Sequence, residues 1–529
     1  MMSDIGFMRV SKYRVASLAG FCTIERLNVI CTVGMSKNAH EIRDPIHIFI
    51  RCDSAERDVL DSRPIQRLRH IHQLALSYLV YPGASHKRFE HSLGVMELAD
   101  RVFDVVTRQD NVVDTIRDQL PEITNPDKVR YWRRVVRMAA LCHDVGHLPF
   151  SHAAEKELLP DGWSHERLTR EIIASEEMRK IWEGLTPAVR IDDIAKIAVG
   201  PKEAKGMKFS TWETILSEIV VGDAFGVDRM DYLLRDSHHS GVAYGRFDHF
   251  RLIDTMRLLQ NPVSEEPALG VEVGGIQSAE ALLWARYLMY SQVYFHAVRR
   301  VYDIHLQDFL AQWLPGGKFS TGIKDHLEMT DNEVMSALLN AARDPKSSGH
   351  DPARRIVNRE HFRVFYERNP DDLKRNPEAA KIIFEAAKAK FGKENVRRDQ
   401  YTQRSGIFDF PVQLKGGPAV SSLSVSEPLR AIPLVAVDRI YIIRKRKAKQ
   451  RSGSEPIWKG FWSEGRRKYE RTSKGISIAR TARPTKLNGQ LVWRNAPPEG
   501  HVLPASVARS SDGFRLHPLQ ARSFLFRAS

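Results

Sequence analysis

The amino-acid sequence predicts a mainly α fold, a helical core followed by a small strand-containing C-terminal region. Three observations predict it. Between residues 54 and 391, one segment after another reads as helix. The mostly apolar run from Val135 to Leu141 reads as a buried helix. Residues 409–443, by contrast, are richer in Val, Ile and Pro, and their β-branched residues suit short strands. At 529 residues the chain can bury a large core, and its length points to two to four domains. The boundaries expected are an N-terminal extension over 1–34, a core over 35–320, a C-terminal helical plus α/β region over 321–443 and a basic, disordered tail over 444–529.

Composition narrows the function classes. No run of about 18 apolar residues exists, which excludes a membrane-spanning helix. Cys22, Cys31, Cys52 and Cys142 show neither metal-type spacing nor a disulfide framework, so a reducing cytoplasm is the expected compartment. The net charge of +15 is informative once located. Residues 444–529 hold 20 Lys/Arg and 5 Asp/Glu, which leaves 60 of each in the remainder. Such a tail suits contact with nucleic acid, an anionic surface or an acidic partner. A solvated tail with no specific partner is the alternative.

The elements follow in order. Lys12 and Arg14 precede a short apolar patch, but Glu25 and Arg26 interrupt it, and Met35-Ser36-Lys37 reads as a natural start. Glu41–Ile50 gives a turn and a short strand. Helices are expected over Ser54–Asp61 and from Pro64 to about Leu76. Tyr81-Pro82-Gly83-Ala84 is a loop that opens onto a helix running to about Thr107, with His91 in its first turn. Ser164 is placed to cap the helix that begins at His165. Asp228, Asp231, Tyr232 and Arg235 fall on neighbouring faces of a helix ended by His238-His239 and Gly241. A helix and a strand-turn segment follow to Gly275, and then one long helix from Ile276 to Asp308. Further helices are expected over Asp331–Ala342, Val357–Glu367 and Asn376–Phe391.

The chemistry centres on Leu141–His152, which holds three histidines and a carboxylate within ten residues. His143 and His147, four apart, are expected on one helix face, with Asp144 about 100° round from His143. Pro149 turns His152 into the same region by another route. Imidazole with carboxylate suits a divalent metal such as Mn, Mg, Fe or Zn. His91, His143, Asp144 and Asp228 can supply one ion from three helices, leaving positions for water and a phosphate oxygen. Such an ion polarises phosphorus–oxygen bonds and lowers the pKa of bound water. His147, His152 and His165 can donate or shuttle a proton. Arg88, Arg229 and Arg286 can stabilise charge on a polyphosphate.

These pieces, in this order, are recognisable. The run comprises Asp44-Pro45-Ile46-His47, Gln66-Arg67-Leu68-Arg69 with Gln73, and Tyr81–His86 into Arg88-Phe89-Glu90-His91-Ser92. It continues through Cys142–His147, Pro149–His152, Trp163-Ser164-His165-Glu166 and Val227–Tyr232 with Arg235-Asp236 and His238-His239. It resembles the HD-domain deoxynucleoside triphosphate triphosphohydrolases, in the group typified by the human SAM- and HD-domain protein and its bacterial relatives. The match covers about residues 41–310, and continues more weakly to about 368. The resemblance implies an HD-domain helical core, a phosphohydrolase over 35–320, with His91, His143, Asp144 and Asp228 as metal ligands. It implies phosphate contacts from Arg88, Tyr232 and Arg286, with His147, His152 and His165 assisting chemistry. Gln73 and Asp236 would hold the sugar 3′-hydroxyl, and Leu74 and Tyr294 would crowd the 2′ position.

Two departures stand out. Arg229 replaces the family's usual Lys beside the last metal ligand, and the carboxylate partnering the acid histidine is Glu155 rather than Asp. Asp61, Gln66 and Arg69 match positions that bind an activating nucleotide in close relatives, so nucleotide activation is an open expectation, as is a homo-oligomer. Two other functions stay open: an HD-domain phosphodiesterase or phosphatase on another nucleotide, and a nucleic-acid-binding protein using the basic tail.

Overall fold

The computed structural model describes residues 39–151, 155–402, 408–443, 485–487 and 490–492. The expectations for residues 1–34, for His152 and for most of the basic tail lie outside the described residues. Within the tail, Thr485–Leu487 and Gln490–Val492 form an antiparallel pair.

The chain opens with a hairpin of β1 (Ala39–Asp44) and β2 (Ile48–Asp53), in register from Ala39 opposite Asp53 to Asp44 opposite Ile48. Its turn is organised by the Asp44 side chain, which accepts from the backbone N–H groups of Ile46 and His47, both at 2.8 Å. Asp53 and Glu56 then form a reciprocal cap that starts the helix Ser54–Leu60.

The core is helical. Arg88–Thr107 buries residues on almost every side, as a central helix must, and packs against Pro126–Cys142 and Val227–Ser240. Ile191–Glu203 and Thr211–Val221 complete that cluster. A second apolar cluster, with Leu76, Phe150, Tyr302, Phe309 and Leu338, joins Ala297–Trp313 to Asp331–Arg343.

The remaining strands are β3 (Met256–Gln260), β4 (Pro267–Glu272), β5 (Arg363–Glu367), β6 (Val396–Thr402), β7 (Pro411–Gln413), β8 (Ala419–Ser421) and β9 (Ala436–Ile442). They form one sheet in the order β3-β4-β7-β8, with β4 and β7 parallel, and another with β9 between β5 and β6. Strands within residues 409–443 are thus shared between two sheets and pair with partners far back in the chain.

Four local expectations need correction. The helix expected over Pro64–Leu76 stops at Arg67, because Gln73 and Arg88 N–H groups bond across the gap to His86 and Ile71 carbonyls. Val357–Glu367 is not a helix: the helix His350–Val357 ends there, and the residues from Arg363 add to β9 as a strand. The long helix from Ile276 breaks at a wide turn, Tyr290–Tyr294, and restarts at Ala297. His143 and His147 do not share a helix face, since the helix ends at Cys142. Thr169 Oγ donates to the His143 carbonyl and accepts from Gly146 N–H, which stops the helix there. A Cβ at Gly146 would fall 2.1 Å from the His165 carbonyl oxygen, so only glycine allows this close approach.

Candidate metal centre

Three helix ends meet at one point. His91 comes from the first turn of Arg88–Thr107, His143 and Asp144 from the end of Pro126–Cys142, and Asp228 from the start of Val227–Ser240. His91 Nε2 lies 3.1 Å from Asp228 Oδ1 and 3.7 Å from Asp144 Oδ2. His143 Nε2 lies 3.5 Å from Asp228 Oδ1 and 3.4 Å from Asp144 Oδ1. Donors about 2.1 Å from a shared ion stand roughly 3.0 Å apart at right angles and about 3.4 Å apart in a tetrahedron. His91, His143 and Asp228 each offer one donor atom to a common point and fit a divalent cation, and Asp144 stands beside them with a different oxygen toward each ring.

Proton placement agrees with that fit. His91 Nδ1–H donates to Asp231 Oδ2 at 2.8 Å, and His143 Nδ1–H to the Ala140 carbonyl at 2.7 Å. In their neutral forms both rings would then turn an Nε2 lone pair toward the carboxylates, and His143 Nε2 is buried with no hydrogen-bond partner. Lone pairs facing carboxylates demand a cation or a proton. Burial alone would lower the His91 pKa, but Asp228, Asp231 and Asp144 outweigh it and hold it at about 10.

Behind His91 stands a network that the sequence reading did not assign to the site. Asp231, fully buried, accepts from His47 Nε2 at 2.7 Å and from Arg235 Nε and Nη2 at 2.8 and 2.9 Å. Arg235 also donates to Asp44 at 2.8 Å. This carboxylate–histidine arrangement fixes the ring and raises its basicity toward a metal. The available signal was Asp231 at three residues from Asp228, with Arg235 four further on the same helix. Gly94 lets the two helices approach: a Cβ there would meet Asp231 Oδ1 at 1.9 Å.

Beside the metal group, the His147 and His165 rings stack at 4.0 Å. Glu155 Oε1 accepts from His165 Nδ1 at 2.6 Å and from its backbone N–H at 2.8 Å. Burial, Arg88 and His165 push His147 well below its ordinary pKa. Burial would also lower His165, but Glu155 reverses it and raises the value. Arg88 donates to Asp144 and, at 2.8 Å, to Ser151 Oγ.

The segment carrying these groups is clamped from afar. Arg67 donates to the His147 carbonyl at 2.9 Å and twice to the Met329 carbonyl, at 3.0 and 2.8 Å. Asp331 accepts from Phe150 N–H at 2.7 Å and from His72. Phe150 and Ser151 both hold φ of 55°, a left-handed conformation costing roughly 1–2 kcal/mol per residue.

The other expected contacts form groups. Asp236 accepts from His86 Nε2 at 2.8 Å and from Tyr294 Oη at 2.7 Å, and the Tyr232 ring stands edge-on to Tyr294 at 6.0 Å. The Gln73 N–H bonds the His86 carbonyl, and Leu74 beside it is buried. The break at Tyr290–Tyr294 is what carries the Tyr294 hydroxyl to Asp236. Arg229 and Arg286 both turn to Asp223. Gln66 and Arg69 pair at 2.8 Å, whereas Asp61 is engaged by Arg57. A cavity of about 590 Å³, bordered by His143, Asp144, His165, Asp228 and Arg229, adjoins the metal group.

Comparison with known proteins agrees with this geometry. An HD domain matches residues 88–200, and an HD associated region matches residues 247–393. The uncharacterized protein YwfO of Bacillus subtilis is 31% identical over 62% of this chain and 72% of its own length. The deoxynucleoside triphosphate triphosphohydrolase SAMHD1 of Homo sapiens is 30% identical over 62% of this chain and 54% of its own length. An uncharacterized protein of Methanocaldococcus jannaschii is 34% identical over 56% of this chain, and this chain likewise spans only 54% of its length. The crystal structure of a hypothetical protein from Aquifex aeolicus superposes with a TM-score of 0.62 at 32% identity, covering 77% of this chain and 96% of that one. Three helix ends that bring two histidines and two aspartates together, in a chain so related, place this protein in the HD-domain family of metal-dependent hydrolases.

Proposed function

We propose that this protein hydrolyses deoxynucleoside triphosphates to a deoxynucleoside and inorganic triphosphate. One observation carries the reading. The helix Val227–Ser240 presents Asp228 to the metal group, Arg229 to Asp223, Tyr232 to Tyr294 and Asp236 to Tyr294 and His86. Groups suited to a metal, a phosphate chain and a sugar hydroxyl thus stand on successive turns. A general HD phosphohydrolase needs the metal ligands alone. The name carried by the vertebrate relatives supports the same choice.

In this mechanism His91, His143, Asp144 and Asp228 hold a divalent ion, which when bound polarises a phosphoryl oxygen and acidifies water. Arg88, Arg229 and Arg286 meet the charge on the triphosphate as water adds to it, with Tyr232 as a neutral donor beside them. Water adds to the α-phosphorus, the bond to the 5′ oxygen breaks, and that oxygen takes a proton. His165, raised by Glu155, supplies that proton from Nε2, while His147, held neutral, accepts one from the water. Gln73 and Asp236 hold the 3′-hydroxyl, and Leu74 and Tyr294 exclude a 2′-hydroxyl. Assembly into a homo-oligomer, nucleotide activation at Asp61, Gln66 and Arg69, and nucleic-acid contact by the basic tail belong to the same proposal.

Chromatographic product analysis tests it, using each deoxynucleotide and ribonucleotide singly and mixed, with Mn or Mg and a His143→Ala control. Deoxynucleoside plus intact triphosphate, lost in the variant, supports the reading, and turnover only in mixtures supports nucleotide activation. Monophosphate plus pyrophosphate, or phosphate alone, replaces it with the phosphodiesterase or phosphatase reading.

A further inference from the structure

Asp223 lies in the short connector between the helices Thr211–Val221 and Val227–Ser240. Three cations converge on it. Arg229 Nη2 donates to its Oδ1 at 2.6 Å, and Arg229 Nε to the neighbouring Gly222 carbonyl at 2.9 Å. Lys202, just past the kink at Gly200, donates to its Oδ2. Arg286 Nη1 donates to its backbone carbonyl at 3.3 Å. Lys202, Asp223 and Arg229 border the cavity that His143, Asp144 and Asp228 also line.

Two features mark this as a seat for a ligand rather than a finished ion pair. Arg286 is 8% exposed, and beside its bond to the Asp223 carbonyl its Nε is buried with no hydrogen-bond partner, a donor left over next to Asp223. The Lys202 side chain is 78% exposed, and a structural pair needs no second, solvent-facing cation once Arg229 is in place. A carboxylate shared by Lys202 and Arg229, with Arg286 on the adjoining backbone carbonyl, resembles one phosphate group in its negative charge and its acceptor oxygens.

We propose that Asp223 is the internal occupant of a phosphate seat and that Lys202 is a third cation of that seat. A polyphosphate chain displaces the Asp223 carboxylate and takes over its bonds to Lys202 and Arg229, while the buried Arg286 Nε gains its acceptor. The inference rests on the triphosphate reading of the site and deepens it. It adds two residues that the reading does not use and makes the chain's affinity for phosphate chains a competition with its own side chain.

The test is calorimetric binding of inorganic tripolyphosphate to the full chain at one saturating Mg²⁺ concentration, so that chelation is common to all samples. Asp223→Asn is expected to bind about tenfold tighter, since a competing anion is removed and the seat retained. Asp223→Ser checks the same sign without an amide, and circular dichroism verifies that each variant is folded. Lys202→Met is expected to bind about three- to tenfold weaker. Weaker or unchanged binding in both Asp223 variants overturns the occupant role, because the carboxylate would then serve only to hold Arg229. Unchanged binding in Lys202→Met removes Lys202 from the seat. Turnover does not enter this assay. Tighter binding without deoxynucleotide hydrolysis therefore preserves the seat and rejects the hydrolase reading, and hydrolysis with weaker binding does the reverse.

Discussion

Replacing Asp231 by Ala tests whether the network behind His91 builds the metal centre. The carboxylate accepts four hydrogen bonds, from His47, from His91 and twice from Arg235, and all three partners are buried. Alanine leaves Arg235 with Asp44 alone and leaves the His91 Nδ1–H without an acceptor. Breaking one side of a buried ion pair costs about 3–5 kcal/mol, and loss of an orienting carboxylate typically weakens metal binding roughly 10- to 100-fold. Urea unfolding of the metal-free protein and direct metal titration read the two effects separately. Their pH dependence has a defined sign. Burial would raise the Asp231 pKa, but Arg235 foremost, with His47 and His91, holds it well below the ordinary carboxylate range. A depressed carboxylate contributes stability that is complete above its unfolded value of about 4 and is lost as pH falls. The gap between wild type and variant is therefore full at neutral pH and closes in acid. A variant that loses under about 1 kcal/mol at neutral pH and binds metal as tightly as wild type would refute this account.

Three further outcomes follow from the same geometry. Gly94→Ala removes no polar group, yet its Cβ would collide with Asp231 and Arg235; a loss of about 1–3 kcal/mol with weakened metal binding is expected in the same two assays. Arg67→Met frees the His147 carbonyl while leaving every metal donor in place, so metal content should be unchanged while kcat falls by about 10- to 100-fold. Chelation should abolish hydrolysis, and restoration by Mn, Mg, Fe or Zn, each added alone with metal content measured, identifies which ions the four donors accept.

Much of this protein could be read from its residues in one dimension. Apolar runs, the cap at Ser164, and the density of His, Asp and Arg in a few short segments identified the helical core and a candidate set of metal donors. Such features are local: a capping side chain, an apolar run or an i, i+3 pair acts within a turn or two of its own backbone. What the linear pattern could not supply was anything decided by partners far along the chain. Val357–Glu367 looked helical, but residues 363–367 gain more by pairing with β9. His143 and His147 looked like neighbours on one helix until Thr169 and the bare Cα of Gly146 ended that helix and turned the two rings to different partners. Asp231 looked like one charge among several, and its buried position between His47, His91 and Arg235 made it the residue that orients the metal centre. Residue types and local spacing determined which chemistry the chain can perform. Long-range contacts determined where each donor points, because a buried polar group must find its partner wherever the fold puts one.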